Sequence, residues 1–104
     1  MSYTKTNVQR VESIDGLHLL RDALECQQFG FTVIDVEDGR NGRAHDHAGE
    51  NHEEVYFVAS GVAELEFEDE TVPLEEGDAI RVDPEEWRQL NLFGDSQVIV
   101  VGSP

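Results

Sequence analysis

The chain has 104 residues, with 23 acidic against seven basic side chains and a formal net charge of -16 at pH 7. This length supports one domain, which can bury about 60 to 70% of its unfolded surface without disulfides. A field of this sign repels phosphate backbones and anionic lipid headgroups, so it argues against nucleic acid and membranes as partners. The same field attracts metal cations.

The sequence also predicts where the protein resides. Cys26 is the one cysteine, which excludes an intrachain disulfide, and the polar start MSYTKTNVQR has no apolar run like that of a signal peptide. The longest apolar runs, at residues 55–59 and 98–101, are far too short to span a bilayer. We therefore expect a soluble, cytoplasmic protein.

Residues 1–28 are expected to form an N-terminal arm or helix that packs on the remaining domain. Val8, Val11 and Ile14 are spaced by three, which fits either one helical turn or an extended arm. Three leucines within residues 16–26 have helical spacing, and extended chain is the alternative there.

Residues 29–104 are predicted to form a single β-domain. Its first strand, residues 29–36, is rich in β-branched and aromatic side chains and ends at Asp38-Gly39. Further strands are predicted at residues 54–60, 62–68, 72–74, 79–82, 87–93 and 97–101. Several short strands separated by turn residues indicate an antiparallel sandwich, barrel or jelly roll.

Two of these strands differ in how they are expected to meet solvent. Residues 62–68 alternate strictly, which predicts a half-buried strand with a solvated row at Glu64, Glu66 and Glu68. Residues 54–60 are apolar at both odd and even positions, so both faces of that strand must be covered. Because this strand needs cover on both faces and the sheet is expected to have open edges, we predict a homodimer in which sheets or edge strands meet.

A dense group of histidines and acids lies between residues 39 and 61. His45 and His47 are two apart, so in an extended strand both imidazoles leave the same face. His52 and Glu54 repeat this spacing after a short polar loop. Such nitrogen and oxygen ligands suit a transition metal, and two histidines with one carboxylate leave coordination positions open. A solvated polar loop is the alternative.

The order of these residues is similar to the first signature motif of the cupins. Gly39, His45, His47, Glu54 and Gly61 stand in the cupin order. Six residues separate the second histidine from the glutamate, where most members have three or four. The resemblance implies an all-β fold, an antiparallel jelly-roll barrel, over most of the chain.

A second cupin motif is expected further along the chain, and the segment from Gly77, GDAIRVDPEEWRQLN, is the candidate. In the family this motif supplies a histidine as the fourth metal ligand. Counted from Gly77 that position holds Arg88, and a one-residue slide onto Pro84 places Gln89 there. A guanidinium has no lone pair for a metal, so a three-ligand site or none remains.

Two functions are compatible with this site. In the first, His45, His47 and Glu54 hold a zinc, iron, manganese or nickel ion, and His52 is a substitute ligand or an acid/base group. The resemblance then implies a metal-dependent enzyme such as a dioxygenase, isomerase or decarboxylase. In the second, the chain is a metal-free binding or sensing module in which Arg88 holds a small anionic molecule.

The remaining candidates surround Arg88. Tyr56, Trp87 and Gln89 are predicted to contact the small-molecule ligand, with ordinary core packing as the alternative for the aromatic pair. For Arg88 the alternative is a salt bridge to Glu54 or Glu86, which would neutralise the pocket and make metal binding unnecessary. The sequence identifies no catalytic residue.

The charge composition generates a prediction about salt. Lys5 is the one lysine beside 23 acids, a pattern that resembles the surfaces of proteins from salt-loving organisms, where dissolved salt screens self-repulsion. The melting temperature should therefore fall as KCl is lowered from molar concentration to dilute buffer. A melting temperature that stays flat over this range, followed by circular dichroism, would contradict the halophilic interpretation.

Overall fold

The computed structural model describes residues 2–41 and 52–103, and for positions 40 and 41 it describes the backbone. In these ranges the chain forms eight strands, one 3-10 helix and one short α-helix. In chain order they are η1 (Val8–Arg10), β1 (Ser13–Ile14), β2 (Leu17–Leu19), α1 (Leu20–Ala23), β3 (Gly30–Val36), β4 (Arg40–Asn41), β5 (Glu53–Glu66), β6 (Thr71–Glu75), β7 (Ala79–Val82) and β8 (Gln89–Ser103).

All strand pairs are antiparallel and belong to one sheet, in the order β1-β2-β3-β8-β5-β6, with β4 on β8 and β7 on β5. The two long strands, β5 and β8, pair with each other along most of their length. The first half of β5 also pairs with β7, and its second half pairs with β6. The sheet therefore has two halves joined through β5 and β8, and it folds over on itself as a jelly roll.

The bend in β5 occurs where its pairing with β8 shifts register, between Val58 and Val62. Gly61 lies in this bend with a φ of +86°. A Cβ atom at this position would lie 2.5 Å from the Asp95 carbonyl oxygen and 2.5 Å from Ser96 Oγ. Only glycine fits such a close approach with a positive φ.

The core lies between the two halves of the folded sheet. The predicted alternation of residues 62–68 is confirmed at Ala63 and Leu65, which are 1% and 0% exposed. Both halves contribute to one apolar cluster, formed by Ile34, Tyr56, Val58, Ala63, Leu65, Leu74, Val82, Leu90, Leu92 and Val98. The expectation of an all-β antiparallel jelly roll is confirmed.

The opposite face of β3, β5, β7 and β8 is also apolar. Cross-strand neighbours place seven side chains there, which we call the outer apolar face: Phe31, Val33, Val55, Phe57, Ala79, Ile99 and Val101. Val55 and Phe57 remain 38% and 40% exposed. The core thus covers the inner face of β5, whereas the described part of the chain leaves much of the outer face of β5 exposed.

The N-terminal segment joins the sheet instead of only lying over it. β1 pairs with β2, and β2 pairs with β3, so chain before residue 29 extends the sheet by two short strands. The His18 ring donates from Nδ1 to the Val11 carbonyl oxygen, 2.8 Å away, which holds the preceding chain beside β2. Both alternatives for residues 16–26 occur, because β2 is extended and α1 is helical. None of the helices in the described ranges is long and apolar enough to cross a membrane.

Candidate functional site

Glu54 enters the barrel interior at the start of β5. The even-numbered side chains of this part of β5 point inward, as shown by Tyr56 and Val58, which are 3% and 0% exposed. Opposite Glu54 on β8 lies Gly102, where a Cβ atom would come within 3.2 Å of the Glu54 side chain. The missing side chain at Gly102 leaves space for the glutamate.

Arg88 reaches Glu54 from the other half of the sheet. It immediately precedes β8 and is 0% exposed. Its Nη2 donates to Glu54 Oε1 at 2.9 Å, and its Nε donates to the Tyr56 hydroxyl at 3.4 Å. The guanidinium therefore forms a buried ion pair with the carboxylate.

The connection between β7 and β8 supplies two further acceptors for Arg88. Nη1 donates to the carbonyl oxygens of Asp83 at 3.2 Å and Glu86 at 2.6 Å. The guanidinium thus has four hydrogen bonds to protein oxygens, as a buried charge requires. Burial lowers the pKa of Arg88, but its hydrogen bonds to Tyr56 and Glu54 and the charge interaction with the same two groups outweigh that effect, so the pKa of Arg88 is raised overall.

Tyr56 completes a three-residue polar centre. Its hydroxyl donates to Glu54 Oε1 at 2.8 Å and accepts from Arg88 Nε. Burial, and then the neighbouring Glu54 carboxylate, raise the pKa of the Tyr56 hydroxyl far above its ordinary value. Glu54, Tyr56 and Arg88 together carry one negative and one positive charge, so the centre is neutral.

The structure brings only some of the predicted site residues together. Glu54, Tyr56 and Arg88 meet, whereas His45 and His47 lie outside the described residues. In residues 2–41 and 52–103 no group of three or more His, Cys, Asp or Glu side chains could hold a metal ion.

The two other predicted ligand contacts are Trp87 and Gln89. Trp87 is half-buried beside Arg88 in the sequence. Gln89 lies on the outward side of the barrel, where its Nε2 donates to Asn91 Oδ1 at 3.2 Å. The Asn91 amide in turn donates to Glu64 and Glu66 at 2.9 and 3.0 Å. Glu64 and Glu66 are thus half-buried against β8, where the alternation predicted a solvated row, whereas Glu68 is exposed as predicted.

The fourth predicted ligand, His52, lies at the rim of the barrel. It is half-buried and lines a cleft of about 340 Å³, which we call the rim cleft, formed by Arg21, Gln27, Gln28, His52 and Ser103. Sequence reasoning missed Arg21 and the two glutamines, because their segment joins this end of the barrel through long-range strand pairing and carries no motif.

The chain belongs to the cupin superfamily, since the family model described as a cupin domain matches residues 32–102. Its fold is similar to a cupin protein from Bacteroides fragilis, with a TM-score of 0.81 and 23% identity over 99% of this chain and 85% of that one. KdgF from Halomonas sp. is 29% identical over 74% and 70% of the chains, with a TM-score of 0.64.

A sugar phosphate isomerase of the cupin superfamily from Silicibacter pomeroyi has a TM-score of 0.74. Its identity is 20%, over 96% of this chain and 75% of that one, so this likeness concerns the fold. A search of curated proteins found no match.

Removing Arg88 should be strongly destabilising. In Arg88→Met the Glu54 carboxylate loses its buried counterion, which should cost about 3 to 5 kcal/mol of unfolding free energy, measured by urea denaturation at high salt. Adding Glu54→Gln to this variant should recover part of the lost stability, because the unpaired charge of the Glu54 carboxylate is then removed.

Arg81→Met is the matched control. Arg81 pairs with Glu53 and Asp83, but all three side chains are more than half exposed, so its loss should matter little. Equal losses for the two arginine variants, or no rescue in the double variant, would contradict the structural role of the buried pair.

Proposed function

We propose that this cupin is a metal-independent module that binds a small organic anion, and that the Arg88 guanidinium takes the place of a metal ion as the counterion of Glu54. The observation that carries the proposal is the fully buried guanidinium of Arg88 donating to Glu54 Oε1 at 2.9 Å. In the cupin pattern Glu54 is a metal ligand, and Arg88 stands at the position of the fourth. Here the two side chains satisfy each other.

Electrostatics explains why these residues fit a divalent cation poorly. A metal ion on the Glu54 carboxylate would lie within a few ångströms of the guanidinium, and like charges repel strongly in a low-dielectric interior. Arg88 cannot relieve the repulsion by losing a proton. If a metal displaced it from Glu54, a buried charge would lose its partner.

In this proposal Arg88 positions Glu54 and Tyr56 instead of holding the ligand. Its three nitrogens already donate to four protein oxygens, and it has no exposed surface. The neutral centre leaves a carboxylate and a hydroxyl in fixed orientations near the rim of the barrel. Such groups can orient a bound molecule without any bond being made or broken.

Metal binding is the second candidate, and the first motif favours it. His45, His47 and Glu54 have the types and order of cupin ligands, and His52 is a possible replacement. Zinc, iron, manganese or nickel would supply a Lewis-acid or redox centre for an enzyme. This candidate requires the affinity of the histidines for the metal ion to outweigh the electrostatic repulsion between that ion and Arg88.

Elemental analysis of protein purified without a histidine tag separates the two candidates. We expect no stoichiometric transition metal in the wild-type protein, because Arg88 neutralises Glu54. Arg88→His should gain metal, since it removes the repelling charge and supplies an imidazole, whereas the control Arg10→His, at an exposed position in η1, should gain none. Stoichiometric metal in the wild type that disappears in His47→Ala and Glu54→Ala would overturn the proposal.

We also propose that two copies of the chain pack through the outer apolar face. Arg81 lies beside Val55 on this face and is paired with Glu53 and Asp83, so the apolar side chains around Phe57 carry no net charge on a chain of net charge -16, and two copies can approach there with little repulsion. A twofold axis would place the same apolar patch on both sides of the interface.

Light scattering after size exclusion at high salt tests this dimer. The wild type should have twice the chain mass, and Phe57→Gln should shift it towards the monomer because it places a polar group in the interface. Phe93→Gln is the matched control, since Phe93 is 50% exposed but lies on the other half of the sheet. A monomeric wild type, or dissociation by both variants alike, would contradict this interface.

A further inference from the structure

We propose that the rim cleft binds the anionic group, a carboxylate or a phosphate, of the small molecule. This inference rests on the proposed binding function and assigns it a site and a ligand chemistry. Its lining consists of one guanidinium, one imidazole, two carboxamides and one hydroxyl, from Arg21, His52, Gln27, Gln28 and Ser103. Each of these side chains can donate a hydrogen bond, and none is acidic.

The composition of the rim cleft is unusual for this chain. Acids outnumber bases 23 to seven, so a surface cleft should expose carboxylates. A second cleft, of about 440 Å³, follows that expectation, because it is lined by five acids and one basic residue: Glu68, Asp69, Glu70, Asp83, Glu86 and Arg81. That cleft repels anions, whereas the rim cleft offers them donors and no carboxylate.

The position of the rim cleft links it to the polar centre. His52 is two residues from Glu54, and Ser103 pairs across the sheet with Glu53. The next cross-strand row contains Glu54, Gly102 and Gly30. The two glycines place no side chain beside the Glu54 carboxylate. A molecule held by its anionic end at the His52 side of the cleft can extend its organic part over the start of β5 towards Glu54 and Tyr56.

Arg21 is well placed to anchor the anion. It follows Leu20, which is 6% exposed and fixes the short helix α1 against the barrel. Among the described residues the Arg21 side chain makes one hydrogen bond, a long one of 3.5 Å from Nη2 to the Gln27 carbonyl oxygen. A guanidinium has five N–H donors in a planar fork, which matches the two oxygens of a carboxylate or a phosphate.

The test is a titration of the full chain with two probes, inorganic phosphate and acetate, followed by amide chemical shifts at high KCl. Saturable shifts should centre on the rim cleft, and Arg21→Gln should weaken binding about tenfold, because it removes the charge-assisted bonds. Tighter binding of one probe would identify the ligand as a phosphate ester or a carboxylic acid.

Arg10→Gln is the control, since it removes the same charge from an exposed position in η1, outside the cleft. It should leave both affinities unchanged. If both variants bind the anions equally more weakly than the wild type, or if the chemical shifts do not saturate, the inference is overturned, because the anions would then be attracted by charge in general and not by the rim cleft.

The result of this titration can be interpreted independently of whether the protein binds a metal ion. Binding that depends on Arg21 and persists in the presence of a chelator supports the rim cleft, even if elemental analysis finds a metal. Absence of that binding from metal-free protein overturns the rim cleft while leaving the role of Arg88 intact.

Discussion

The buried ion pair between Glu54 and Arg88 is the interaction on which the rest of this barrel's interior depends. Each charge loses its hydration, and a lone one would be costly. The structure compensates with the Tyr56 hydroxyl and two backbone carbonyls, so every nitrogen of the guanidinium has an acceptor. Since the partners come from opposite halves of the folded sheet, the pair also links the two halves where the apolar core ends.

Charge is distributed unevenly over this chain. The interior centre is neutral, one cleft on the surface is strongly acidic, and the rim cleft contains donors without acids. For a chain of net charge -16, such a local exception matters because an anion meets repulsion almost everywhere else. The outer apolar face is a second exception, because the one charge beside Val55, that of Arg81, is paired with neighbouring carboxylates. We regard the two as separate features, one suited to a small ligand and one to a second copy.

Much of the fold was predictable from local patterns. The alternation at Ala63 and Leu65, the turn glycines and the cupin motif predicted strands, inward faces and a jelly roll, and the structure confirms them. Local patterns did not predict that strands 54–60 and 62–68 form one continuous β5. Their junction at Gly61 is a bend within a strand, set by contact with β8, and in the sequence a bend and a turn have the same glycine signal.

The sequence by itself determined the class of fold, the inward direction of Ala63 and Leu65, and the presence of Arg88 where a cupin ligand is expected. It left open whether that arginine would hold a ligand or a carboxylate. Only the tertiary structure decided, because Glu54 and Arg88 are 34 residues apart and meet when the sheet folds over. The rim cleft could not be predicted from the sequence either, since Arg21 and His52 belong to segments that only long-range pairing brings together.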